Sequence, residues 1–99
     1  MINENKLLAL IEKVCNRPKR YTLNGRFQEV ASYIGKKGIS SIEGKFYYHS
    51  IFTPFLKWFV SKTGKEMSIN MESFQNSFSS EDEALKNFPI LYKEYIQSL

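Results

Sequence analysis

The sequence predicts an all-α, single-domain bundle of four to five helices. Three observations predict it. Apolar residues recur three and four positions apart in segment after segment. No segment sustains the strict alternation of a half-buried strand. Proline, glycine and capping residues punctuate the segment ends. The chain has 99 residues, which suits one domain. A chain of that size can bury roughly 60–70% of the surface it exposes when unfolded.

The first segment is "NENKLLALIEKVCN". Leu7, Leu8, Ile11 and Val14 share one face at helical spacing, and Lys6, Glu12 and Lys13 lie largely off it. Asn3 or Asn5 is the expected cap. Pro18 is the expected stop, because the residue before a proline is pushed out of the helical region.

The second segment is "TLNGRFQEVASYIGKKG", with Leu23, Phe27, Val30, Ala31 and Ile34 in phase. Thr22 is the expected N-cap. Gly25 weakens the first turn by roughly 1 kcal/mol relative to Ala. Gly35 is the expected stop, with Lys36 and Lys37 at the negative end of the helix dipole. Residues 35–46, "GKKGISSIEGKF", then read as one longer Gly/Ser-rich loop.

In "HSIFTPFLKWFVSKTG", Ile51, Phe52, Phe55, Leu56, Phe59 and Val60 form a broad apolar face. Pro54 falls in the first helical turn whether Ser50 or Thr53 caps it, and proline is tolerated there. Gly64 is the stop. "GKFYYHSIF" has the composition of a short strand but lacks a partner. "MSINMESFQNSF" places Met67, Met71, Phe74 and Phe78 in phase for a short helix.

The last segment is "SSEDEALKNFPILYKEYIQSL". Ser80 and Glu83 have capping-box spacing, and Glu81 and Asp82 add negative charge at the helix start. Leu85, Phe88, Tyr92, Tyr95 and Leu99 form its stripe. Pro89 removes one backbone hydrogen bond and predicts a kink near 85–89. Phe27, Phe59 and Phe88 are expected to meet across the helices as core.

Composition bounds the function. The hydrophobic fraction is 42%, with 8 Phe, 6 Tyr and 1 Trp, enough bulk for a core and against disorder. The longest apolar runs, such as "LLALI" and "WFV", are too short to span a membrane. "MINENKLLAL" lacks the basic start and long apolar centre of a signal peptide. Cys15 is the only cysteine, so no internal disulfide forms and a cytoplasmic setting is expected.

The net charge of +4 is unevenly spread. Residues 15–37 carry six bases and one acid, and residues 38–65 carry four bases and one acid. Residues 66–99 carry two bases and six acids. A basic side and an acidic side are expected, which concerns partners and not fold.

Catalytic chemistry needs positioned acids, bases or a metal. His49 is the only histidine and Asp82 the only aspartate. No metal-ligand spacing and no glycine-rich phosphate loop is present. Cys15 with His49 forms a nucleophile pair only in principle, since neither sits in a catalytic motif. No enzyme activity, metal or cofactor is expected. Arg17, Lys19, Arg20 and Arg26, with Tyr21 among them, have the chemistry to grip phosphate and stack a base. They also suit a solvated turn, and no recognition helix adjoins them. Glu81, Asp82 and Glu83 suit a helix N-terminus. With Glu66 and Glu72 they also make a negative patch for a basic partner protein.

Three stretches together carry a resemblance: "RPKRYTLNGRFQEVASYIGKKG", "FTPFLKWFVSKTG" and "SSEDEALKNFPILYKEYIQSL". Their order resembles that of small bacterial immunity proteins encoded beside polymorphic or contact-dependent growth-inhibition toxins. The resemblance implies a compact inhibitor that binds a cognate toxin domain and blocks its active site. It also implies that Arg17 and Pro18 turn the chain and dock Tyr21 on the bundle. The expected toxin-binding residues are Glu66, Glu72, Glu81, Asp82 and Glu83, with Tyr47, Tyr48 and His49 as second choice. A nucleic-acid-binding or regulatory domain, using Arg17, Lys19, Arg20 and Arg26, is the alternative. No membrane partner is expected, nucleic acid is disfavoured, and the chain is expected to be a monomer or a weak homo-oligomer.

Overall fold

A computed structural model describes residues 4–38 and 50–99. Among these residues there are six α-helices, one 3-10 turn and no strand. The helices are α1 (Glu4–Asn16), α2 (Pro18–Tyr21), α3 (Phe27–Gly38), α4 (Thr53–Thr63), α5 (Met71–Asn76) and α6 (Glu81–Gln97). The all-α class therefore holds. The count exceeds the predicted four to five because the basic turn is itself a helical turn. Pro18 ends α1 and also opens α2 at its first position, where its fixed φ suits a helix.

The core is one cluster contributed by every helix except α2. Leu7, Ile11 and Val14 of α1 are buried, while Leu8 packs partly against them. Asn5 lies inside α1, so it is not the cap. Phe27, Val30, Ala31 and Ile34 of α3 are fully buried. The helix runs on through Gly35 to Gly38, so the expected stop at Gly35 fails. Gly35 lies on the buried side. Packing of that face outweighs the intrinsic penalty of glycine in a helix. The rest of the expected loop, 39–46, lies outside the described residues.

Two other boundaries differ from expectation. Helix α3 begins at Phe27, not at Thr22. Gly25 adopts φ +69°, a left-handed conformation that breaks any helix from Thr22 onward. Leu23 therefore leaves the apolar stripe and stands 88% exposed. Leu99 also misses the core, because α6 ends at Gln97.

The aromatic core centres on Phe55, just after Pro54 in α4. Its ring lies 5.1 Å from Tyr92, 5.5 Å from Phe74 and 5.8 Å from Phe88, centroid to centroid. Phe27, Phe59 and Phe88 are buried as expected; Phe27 and Phe88 meet directly at 5.8 Å, and Phe74 joins both to Phe59. The Phe74 ring stands 5.8, 4.9 and 5.6 Å from Phe27, Phe59 and Phe88 in turn. Stacked, tilted and edge-on pairs of this kind each add about 0.5–1.5 kcal/mol beyond the area they bury.

Caps fix the helix ends around this core. Asn70 Oδ1 accepts the Ser73 N–H at 2.7 Å, and Ser80 Oγ accepts the Glu83 N–H at 3.2 Å. Gly64 closes α4 at φ +68°, its N–H bonded to the Val60 carbonyl. Helix α6 is continuous through Pro89. The 3-10 turn Ser50–Phe52 occupies the end of the possible strand; the remainder of that stretch lies outside the described residues.

Candidate protein-binding surface

The turn between α2 and α3 is built by short-range hydrogen bonds. Thr22 Oγ1 donates to the Pro18 carbonyl at 2.9 Å and accepts the Gly25 N–H at 2.9 Å. Glu29 Oε1 accepts the N–H groups of Asn24 and Arg26, at 3.2 and 3.1 Å. The Arg26 contact is the reaching-back half of a capping box, with Arg26 at the N-cap and Glu29 at N3. The Lys19 stem covers Gly25 so closely that a Cβ there would fall 2.8 Å from Lys19 Cγ. Leu23 projects from this clamped turn.

Basic and aromatic residues surround the turn. Arg17, just before α2, and Lys19 and Arg20 on it are exposed. Tyr21 is half-buried and tilts against Tyr33 of α3, with ring centroids 5.6 Å apart. Lys13 Nζ stands 5.9 Å from the Tyr21 ring centre and Lys37 Nζ 5.9 Å from that of Tyr33. A shallow hollow of about 460 Å³ opens beside Leu23, between Tyr21, Gln28, Tyr33 and Lys36.

The acidic residues have different surroundings. Glu81 is engaged: Arg26 Nε lies 2.9 Å from Glu81 Oε2, and Gln75 Nε2 donates to Glu81 Oε1 at 3.1 Å. Gln28 Nε2 donates to Gln75 Oε1 at 2.8 Å and to the Met71 carbonyl at 3.3 Å. The result is a polar ladder tying α3, α5 and α6 together. No local sequence pattern signals this ladder, because its members are 6 to 55 positions apart. Glu83 accepts from Asn87 Nδ2 within α6. Asp82 opens onto a groove between α1 and α6. Glu66 lines a different depression, beside Lys65 and Ser77, and Glu72 is exposed on α5.

The α1–α6 groove encloses about 1080 Å³. Glu12, Asp82 and Glu94 line it together with Lys13, Lys86 and Lys93, so its charges balance. Cys15 lies there too. Burial pushes its thiol up to about 12, which leaves it protonated and a poor nucleophile at neutral pH. Its supposed partner His49, together with Tyr47 and Tyr48, lies outside the described residues. Among the described residues no group of three or more His, Cys, Asp or Glu side chains is placed to hold a metal ion. No described helix is long and apolar enough to cross a membrane. The chain matches no family model, no curated protein and no solved structure.

Proposed function

We propose that this chain is an immunity protein that binds a cognate bacterial toxin domain and neutralises it by blocking its active site. The observation that carries the reading is the clamped turn 22–26. Four hydrogen bonds and the Lys19 stem hold an exposed segment in one shape. A surface fixed before binding loses little conformational entropy on binding, which favours recognition of a shaped protein surface. The resemblance of the three quoted stretches to immunity proteins supplies the class of partner. The bundle then acts as a rigid support, and Tyr47, Tyr48 and His49, outside the described residues, are the second choice for contact with the toxin.

The test is protection. Cells that produce the toxin domain encoded beside this chain are expected to grow when the chain is co-expressed and to stop growing without it. Equal killing in both cultures, with the chain soluble and folded, overturns the proposal.

A second reading, a small nucleic-acid-binding domain, is favoured by the exposed bases Arg17, Lys19 and Arg20. Its signature is retention on nucleic acid that falls steeply with salt.

A further inference from the structure

We propose that the toxin is engaged through the basic face around Leu23, and that the toxin's complementary surface is an apolar socket rimmed by carboxylates. This rests on the immunity reading and names the chemistry of its partner.

Leu23 is 88% exposed, the highest exposure among the large hydrophobic residues described. A lone exposed leucine on a mobile loop needs no explanation. This one sits on a turn whose backbone is hydrogen-bonded on both sides, so its side chain is offered in a fixed direction. The hollow beside it, walled by Tyr21 and Tyr33, gives the face a knob and an adjoining recess. Such a pair fits a protein surface carrying the converse shape.

Charge decides what rims that surface. Residues 15–37 hold six bases against one acid, Glu29. The Glu29 carboxylate is occupied by the N–H groups of Asn24 and Arg26. Arg17 at the start of α2 and Lys19 and Arg20 within it are exposed, and carboxylates would be steered to them. Single-stranded nucleic acid fits less well. Tyr21 and Tyr33 spend their rings on each other rather than standing free to stack bases, and an exposed leucine offers phosphate nothing. The acidic residues fit less well too, since Glu81 is held by Arg26 and Gln75.

The experiment is calorimetric titration of the full chain with the toxin domain encoded beside it, at two salt concentrations. The variants are Leu23→Asp, the pair Arg17→Glu with Arg20→Glu, and the pair Glu72→Lys with Asp82→Lys. All five positions are exposed, so each variant is expected to keep the wild-type circular dichroism. Leu23→Asp and the double arginine reversal are each expected to weaken binding by about a hundredfold or more, as loss of an anchor or of its charged rim does. The acid reversal is expected to stay within about threefold of wild type. Wild-type affinity in Leu23→Asp, with binding lost in the acid reversal, overturns this surface and leaves the immunity reading standing. No binding by the wild type overturns both. Tight binding of a single-stranded oligonucleotide that Leu23→Asp leaves intact and the arginine reversal abolishes also overturns the proposal, in favour of nucleic acid.

Discussion

Arg26 and Glu81 pair across 55 positions of sequence, Nε to Oε2 at 2.9 Å. The basic turn thereby meets the acidic start of α6, and each cancels part of the other's charge. The pair also fixes the entry of α3 against α6, since Arg26 is the N-cap residue of α3. Its side chains are 66% and 30% exposed, so solvent screens it. Coupling between Arg26→Ala and Glu81→Ala, measured by a urea double-mutant cycle, is expected to stay below about 1 kcal/mol. A coupling above about 2 kcal/mol would make the pair a main support of the fold.

Phe55 touches rings from α4, α5 and α6 and is fully buried. Phe55→Ala is expected to cost about 3–5 kcal/mol, a large part of the stability of so small a domain. Leu23→Ala is expected to change stability by less than about 0.5 kcal/mol. Urea midpoints compare the two directly. Equal losses would contradict the burial assigned to both.

Gly25 and Gly64 share nearly the same left-handed backbone, φ +69° and +68°, but not the same surroundings. A Cβ at Gly64 meets nothing within 4 Å, whereas one at Gly25 presses on the Lys19 stem. Gly64→Ala is expected to cost the backbone strain alone, about 1–2 kcal/mol. Gly25→Ala is expected to cost more and to weaken toxin binding as well, because Lys19 and the turn must shift together. A Gly25→Ala protein as stable as wild type would show that the turn is not clamped.

Alkaline pH is expected to destabilise the fold. Burial raises the Cys15 thiol from 9.0 to about 12. Burial first, then the neighbouring Tyr95 and Glu4 charges, raises the Tyr92 hydroxyl. Burial, then Glu4, raises Tyr95. Each group is neutral when protonated, and unfolding lets it ionise at its ordinary value. Their contribution is complete below about pH 9 and declines as pH rises toward about 12. Thermal melts between pH 7 and 11 are expected to show Tm falling above about pH 9, less steeply in Cys15→Ala. A Tm that rises over that range would contradict the sign.

Much of the fold was legible because helix periodicity is a local signal. Leu7, Ile11 and Val14, then Phe27, Val30 and Ile34, then Leu85, Phe88 and Tyr92 were placed on the buried side from spacing alone. Gly64 and Ser80 marked their helix ends for the same reason, whereas the Asn70 cap of α5 was not read from the sequence. Leu23 and Gly35 went wrong where two local signals competed. At Gly25 the left-handed turn overrode the apolar phase, and at Gly35 tertiary packing overrode the glycine stop. The candidate site was less legible. Arg17, Lys19 and Arg20 stood out as charge, but the hydrogen bonds of Glu29 and Thr22 that give the turn its shape depend on backbone geometry. The engagement of Glu81 by Arg26 and Gln75 depends on how distant helices pack, which residue spacing does not encode.

Titration of the chain into the toxin domain while the toxin's activity is followed tests the proposed function most directly. Activity is expected to fall to background at about one chain per toxin domain, as it does when a tight inhibitor covers the active site. The Leu23→Asp chain is expected to need a large excess for the same effect. Full toxin activity at saturating wild-type chain would contradict neutralisation by active-site blockade.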